Sequence, residues 1–574
     1  MTHDGSLNKV VESLSRHKMN ELIDYIERLW QEGKHNVGVE LKNDGPDEPI
    51  CCCVDNSLDD LLNDLSTALE DDKFVKKCKV VLDIIAENTP NGIFAAKNEI
   101  SENIEYRTPK ILDWKLCYRK TSKYNGIFHE NENCVERDCN LDINKIVNEM
   151  SKDMKVGEGK IYVSELKSIP ESTRSAMHEH GLSLISQGKV AVVMLSGGDG
   201  SRLGYNGPKG TYPIGKISND SFFKIFCYRL RSLSKLINIE CTIPLYIMTS
   251  ISNDKKIKDY FRENNYFGLK EENVIFFKQD SIPSISIHSK NFFLESKYKL
   301  LKSPNGNGGV FNSMLNKGII DDMEKKGIKY VFIHCIDNPL CKICDPFFIG
   351  YTDLFNLQIS TKTVLKKDSY EKIGTIVEKY NKNDNSCVPQ IIEYSEISGL
   401  DNCSEFVYGS IGVHLFSLEY MKYISKGDKL DYHIAIKQIK HYDISNSSIV
   451  DPLDNNGIKL EMFIFDSFEF VTVPIHCINV ERNEFSPVKS NHGDDTPQNC
   501  QNAISDLNKS FIQRYTSKNS KVYNNSGFSP VYLEISPLLT YFGENLQRFS
   551  DVCNSDKKYI YINDNSEIEC YDEI

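Results

Sequence analysis

The stretch VAVVMLSGGDGSRLGYNGPKGTYPIG, residues 190–215, passes from six apolar residues into a loop of glycine, serine, one arginine and one lysine. Val190 to Leu195 read as a strand covered on both faces, because a short β-branched run without polar alternation is what such a strand requires. Gly197, Gly198, Gly200 and Gly204 then permit a tight turn that brings successive backbone N–H groups toward a ligand, an arrangement suited to an anion such as phosphate. Arg202 and Lys209 add two cations. The spacing is not that of a P-loop, since no GKS or GKT follows a GxxxxG frame, and the GxGxxG dinucleotide fingerprint is absent. A glycine pair after a strand is commonly only a turn. Strand, glycines and two cations together form a rarer composite, which predicts a phosphate-holding loop at the end of a buried strand.

Working outward, the 574 residues exceed the size at which one core stops growing, so two or three domains are expected. A formal net charge of -13 argues against nucleic acid and anionic membrane as partners, because either demands a broad basic face. Any phosphate ligand must therefore meet a local basic pocket. No run approaches 18 uninterrupted apolar residues and the opening MTHDGSLNKVVESLSRHK lacks a secretory core, so a soluble, cytoplasmic protein is expected. The 18 cysteines are scattered, which fits reduced thiols better than a disulfide framework. Cys341 and Cys344 form a CxxC without a second pair at zinc-ribbon spacing, and Cys51 to Cys53 sit in a polar loop where nothing lowers their pKa.

Three regions are expected: a helical N-terminal part with insertions (1–185), a catalytic domain (186–470) and a small mixed or β C-terminal domain (471–574). In the first, SLNKVVESLSRHKMNELIDYIERLW places Leu7, Val10, Leu14, Leu22, Ile26 and Leu29 on one helical stripe, and SLDDLLNDLSTALEDDKFVKKCKVVLDII reads as a second helix. HENENCVERDCNLD is a polar insertion. STRSAMHEHGLSLISQGK reads as a helix closed near Gly188. From Val190 onward, TIPLYIMTS, ENVIFFKQD, KYVFIHCID and STKTVLKK are short apolar strands alternating with helical segments, the pattern of an α/β fold with a mostly parallel sheet. In such sheets ligands bind beyond the carboxyl ends of the strands.

Further stretches fall at those ends. SPNGNGGVFNSM, 303–314, is a second glycine-rich turn before a helix. In YVFIHCIDNPL an apolar strand delivers Asp337 to the sheet edge, where a Mg²⁺ that bridges phosphates finds a protein oxygen. IIEYSEIS, NGIKLEMFIFDSF and VERNEFSPVKSNHGDD contribute a tyrosine between two glutamates, Lys459 and Lys489.

The blocks SGGDGSRLGxxxPKG, NYFGLKEENVIFFKQ, PNGNGG, CIDNPLxxxxDPxFIG, IEYSEIS, NGIKLEMFIFDSF and NEFSPVKS, in this order, resemble those of the eukaryotic UDP-N-acetylglucosamine pyrophosphorylases, from roughly His178 to Tyr541. The resemblance implies a Rossmann-like nucleotidyltransferase sheet and the conversion of UTP and N-acetylglucosamine 1-phosphate to UDP-N-acetylglucosamine and diphosphate, with Mg²⁺. It implies that Leu195, Ser196, Gly197 and Gly198 contact the uracil and ribose, that Lys209 contacts the phosphates, and that Gln279 and Gly306 read the base. Asn307 becomes a sugar contact, Asp337 the metal ligand beside Cys335, and Glu393 with Tyr394 the hexosamine clamp. Lys459 and Lys489 are the remaining phosphate contacts, on UTP and on the sugar phosphate. One departure concerns the strand after EYSEIS: FVYGSIGVH carries Val407 and Ser410 where the family has asparagines, and the asparagine at the position of Ser410 is the family's amide contact to the sugar.

These residue types suit the chemistry independently. In-line attack of one polyanion on another needs positioning and charge neutralisation rather than a covalent intermediate. Arg202 offers a planar fork for the departing diphosphate, and Lys209 and Lys489 are compact point charges. The chain is read as a monomer or weak homodimer. The alternatives are the same uridylyltransfer on another sugar 1-phosphate, of N-acetylgalactosamine or glucose type, a non-catalytic nucleotide-sugar sensor, or a scaffold built on the N-terminal helices.

Overall fold

The computed structural model describes residues 104–114, 143–156, 159–238, 243–393, 403–427, 429–516 and 530–573, with scattered helical positions between 61 and 78. The helix read over residues 6–30, the insertion at 129–142, Cys51 to Cys53 and Tyr394 lie outside the described residues.

The chain divides into two compact units. The larger comprises Glu102–Gln279, Val310–Lys429 and Phe465–Ile574, and is built on a twelve-stranded sheet. Nine strands form its continuous path: β1 (Lys110–Ile111), β2 (Ile161–Glu165), β3 (Val190–Leu195), β4 (Leu245–Thr249), β5 (Val274–Lys278), β6 (Tyr330–Cys335), β7 (Ile359–Leu365), β8 (Tyr408–Ser417) and β9 (Ile475–Asn479). Their order is β1-β2-β9-β7-β8-β6-β3-β4-β5. Only β8 runs antiparallel to its neighbours on this path, so the carboxyl ends of the other eight strands share one edge. The remaining strands, Ile104–Arg107, Thr375–Asn381 and Ser386–Ile392, extend from β8 through Thr375, which pairs with Gly409.

All six residues of β3 are buried, as the unbroken apolar run predicted for a strand covered on both faces. Five helices enter the argument: α1 (Glu171–Ser186), α2 (Phe222–Leu236), α3 (Asp254–Glu263), α4 (Pro346–Leu354) and α5 (Pro497–Thr516). α1 ends just before Gly188, whose φ of +67° places it in the left-handed region where glycine closes helices without steric cost.

The boundaries expected at 185 and 470 are corrected here. β1 and β2 precede the first and β9 follows the second, yet all three hydrogen-bond into the central sheet. IYVSE and IHCIN are too short for their periodicity to distinguish a module of their own from strands of a distant sheet; their mutual parallel pairing decides it. Beyond them, α5 packs on a separate sheet of three strands, Tyr532–Ile535, Tyr559–Ile562 and Ile568–Tyr571.

The smaller unit comprises Met1–Ser101, Asp280–Gly309 and Leu430–Ile464. It contains small sheets, one of them formed by the strands His433–Lys437, Gly457–Glu461 and Ile285–Ser286, and its buried Phe74 stacks on Phe292 at 5.9 Å between ring centroids.

Candidate active site

The register of the sheet aligns the strand ends. Leu195 lies beside Cys335 on one side and Met248 on the other, and Thr249 lies beside Lys278. The segments that begin at Ser196, Ser250, Gln279 and Ile336 therefore leave from one edge. Gln279 is anchored there by its N–H, which donates to Thr249 O at 2.8 Å. A side chain on Gly197 would meet Gln279 Oε1 at 3.0 Å, so the glycine lets the loop lie close to that amide. The loop then folds back, with Lys209 N–H donating to Gly198 O at 3.1 Å and Gly200 N–H to Gly207 O at 2.8 Å.

This return brings Lys209 Nζ to 3.7 Å from Asp337 Oδ2, both side chains being mostly buried. From the far side of the sheet the segment after β9 reaches the same place. Val488 N–H donates to Asp337 O at 2.9 Å and Asn491 N–H to Arg202 O at 3.3 Å, so one strap touches both the carboxylate turn and the glycine loop. Lys489 is carried on that strap, its Nζ 2.8 Å from Asp495 Oδ2. Arg202 is exposed, and its guanidinium has no partner among the described residues. Cys335 is at the end of β6, where burial and then the neighbouring Asp337 carboxylate push its thiol up to about 12. A thiol held protonated in this way is a poor nucleophile.

On the other flank, Ser410 N–H donates to Gly374 O at 2.8 Å, and Ser410 Oγ accepts from Gly412 N–H at 3.4 Å. Glu393 closes the antiparallel pair beside Gly374: a Cβ on that glycine would lie 3.8 Å from Glu393 Oε1. Thus Leu195 to Gly198, Arg202, Lys209, Gln279, Cys335, Asp337, Glu393, Ser410 and Lys489 all belong to the larger unit. Gly306, Asn307 and Lys459 belong to the smaller one. There Gly306 has φ +87° and its α-carbon faces Met462, where a Cβ would meet the backbone oxygen at 2.2 Å. Asn307 Oδ1 accepts from Ile464 N–H at 2.9 Å, a structural duty the sequence did not suggest, and Lys459, half-buried in a mostly buried strand, pairs with Ala435.

The fold and this edge match known proteins. The UTP–glucose-1-phosphate uridylyltransferase family matches residues 139–523. The chain belongs to that family. It is 37% identical over 385 residues to the UDP-N-acetylglucosamine pyrophosphorylase of Saccharomyces cerevisiae, a match covering 64% of this chain and 77% of the yeast protein. It is 31% identical over 417 residues to UDP-N-acetylglucosamine diphosphorylase 2 of Arabidopsis thaliana, covering 67% and 80%. A crystal structure of the Trypanosoma brucei uridine diphosphate N-acetylglucosamine pyrophosphorylase aligns over 98% of this chain and 99% of its own at a TM-score of 0.67 and 21% identity, which shows the shared fold.

Sequence reading missed the groups that hold this uridylyltransferase's edge in place. Lys362, on β7 and 1% exposed, donates from Nζ to Asp345 Oδ2 and to Glu484 Oε2, each at 2.7 Å. Asp345 caps α4 through Phe347 N–H, and Glu484 stands at the base of the Lys489 strap. Asn338 completes the tie, donating to Glu484 O at 2.8 Å and accepting from Ser486 N–H at 3.0 Å. Arg229 of α2, buried and lowered to about 10 by that burial, donates to Pro339 O and Cys341 O, fixing the turn after Asp337. The aspartate of CIDNPLxxxxDPxFIG was a signal for the first network; its lysine, on a separate strand, had none.

The CxxC is explained by packing. Cys341 and Cys344 are 1% and 0% exposed, and burial pushes the Cys341 thiol up to about 12. Among the described residues no three His, Cys, Asp or Glu side chains cluster as a metal site. A Mg²⁺ at Asp337 would thus have, among the described residues, at most one further ligand of these types. That donor set fits an ion that keeps several waters and takes its other oxygens from substrate phosphates.

Proposed function

We propose that this chain is a UDP-N-acetylglucosamine pyrophosphorylase, converting UTP and N-acetylglucosamine 1-phosphate to UDP-N-acetylglucosamine and diphosphate. The observation that carries the reading is the meeting of the glycine loop, the Lys209–Asp337 pair and the Lys489 strap at one carboxyl edge, in a chain whose relatives are named for this activity. UTP lies along the glycine loop, with Gln279 offering an amide to the base. Lys209 meets its phosphates and Lys489 the sugar phosphate, so two polyanions are held together against their repulsion. Glu393 and Ser410 flank the sugar. Asp337 would hold a Mg²⁺, which when bound neutralises and polarises the phosphates. Among the described residues no helix is long and apolar enough to cross a membrane, and the expected compartment is the cytoplasm.

Diphosphate release from UTP with a panel of sugar 1-phosphates tests the reading. N-acetylglucosamine 1-phosphate should give the highest kcat/KM. No turnover with any sugar 1-phosphate would leave a nucleotide-sugar sensor, and preference for a glucose or galactose type would reassign the substrate.

Ser410 bears on the margin. Its hydroxyl is shorter than an asparagine side chain and offers one donor in place of the amide's two, so a direct bond to the sugar is weakened. Ser410→Asn is expected to raise the preference for N-acetylglucosamine over N-acetylgalactosamine 1-phosphate by about tenfold, the worth of one recovered hydrogen bond. An unchanged ratio would show that Ser410 does not face the sugar.

Arg202 is an exposed cation, so screening reduces what it can contribute relative to a buried oxyanion donor. Arg202→Ala is expected to lower kcat by about tenfold with little change in KM, because the charge it meets develops on the leaving diphosphate. A full kcat would exclude the arginine from the reaction.

A further inference from the structure

The glycine loop is stapled from behind by a residue outside every motif described above. Asn253, 0% exposed at the start of α3, places its side chain under the loop. Its Nδ2 is 3.3 Å from Ser196 O, 3.0 Å from Gly197 O and 3.5 Å from Gly198 O, while its Oδ1 accepts from Ser250 N–H at 2.8 Å. A planar trans peptide points its N–H opposite to its C=O. Three carbonyls turned toward one amide therefore turn the N–H groups of Gly197, Gly198 and Asp199 the other way. Among the described residues those three N–H groups have no acceptor, although the neighbouring Ser196 and Gly200 N–H groups donate to Met248 O and Gly207 O. Consecutive N–H groups facing one side form a concave donor surface for the oxygens of an anionic or carbonyl-bearing ligand.

We propose that Asn253 is a positioning residue for the nucleotide: by holding the carbonyls of residues 196–198, it presents the amides of residues 197–199 as a preformed donor row to UTP. This rests on the reading that the loop holds UTP. A single amide serves this role because its NH₂ group supplies two N–H donors, chiefly to Ser196 O and Gly197 O, while Gly198 O is held mainly by Lys209 N–H at 3.1 Å and the amide oxygen locks the side chain to Ser250. Preforming the row removes an ordering cost from binding, so the effect falls on UTP affinity.

Two variants separate positioning from support of the fold. Asn253→Asp keeps the shape and the acceptor for Ser250 N–H but replaces the donor by an oxygen that repels the three carbonyls; Asn253→Ala removes both. Both are expected to raise the KM for UTP by about tenfold or more, with the KM for the sugar 1-phosphate within about twofold of wild type and Asp no better than Ala. UTP binding by calorimetry should weaken in parallel. The proposal is overturned by an unchanged UTP KM in a folded variant, by recovery with Asp, or by equal changes in both KM values accompanied by a large loss of Tm. Wild-type protein that neither binds nor turns over UTP would instead remove the underlying functional reading.

Discussion

Asp337→Asn is expected to lower kcat by on the order of 10²-fold or more while leaving the fold intact. The substitution preserves shape and removes the charge that would hold Mg²⁺ against the phosphates. The strap is retained, because Val488 N–H is taken by the backbone oxygen of Asp337, not by its carboxylate. Lys209, whose ammonium lies 3.7 Å from that carboxylate, loses a competing anion and can still meet phosphate. The loss should thus be concentrated in turnover and in the dependence on Mg²⁺, with Tm near that of wild type. A Mg²⁺ titration of kcat checks it, and near wild-type turnover at limiting Mg²⁺ would remove Asp337 from the metal.

Lys362→Met is expected to cost about 3–5 kcal/mol of stability, because it leaves the buried Glu484 carboxylate without its counter-ion and the buried Asp345 carboxylate with only Lys342, 3.2 Å away. Asp345 and Glu484 are only 3% and 6% exposed, and each lies 2.7 Å from the Lys362 ammonium. Burial alone would raise the Asp345 carboxyl; Lys342 and Lys362 overcome it and hold it well below the usual carboxylate range. A folded-state pKa depressed in this way contributes stability that is present above the unfolded carboxylate pKa, near 4, and is lost as pH falls through the folded value. Without Lys362 that contribution shrinks, so the gap between wild type and variant should be widest near pH 7 and narrow toward acid. Thermal melts across pH measure this. Adding Asp345→Asn and Glu484→Gln should recover much of the loss, since a neutral buried set needs no lysine. A single variant as stable as wild type at pH 7 would show that water reaches the site. Turnover should also fall, because Glu484 anchors the strap that carries Lys489.

Much of the site was legible because its signals are local. Val190 to Gly204 announced a strand and a glycine loop within fifteen consecutive positions, and Asp337 stood at the end of another apolar run, where an α/β sheet places ligands. What holds those loops was not legible. Asn253 is an ordinary polar residue at a helix start, and its staple depends on β3 and β4 being neighbours. Lys362 looked like one more charge in STKTVLKK, yet it is buried between residues 17 and 122 positions away in sequence.

The sequence by itself determined the alternation of strand and helix, the orientation of the sheet's carboxyl edge toward the glycine loop, and the chemical types at that edge, because hydrophobic period, glycine spacing and charge act over a few residues. Only the tertiary structure decided that IYVSE and IHCIN complete the central sheet, that Val488 and Asn491 tie the Lys489 strap to Asp337 and Arg202, and that one buried lysine serves two carboxylates. Such contacts form between segments that share no local pattern, and their free energy exists only once burial has removed water from both partners.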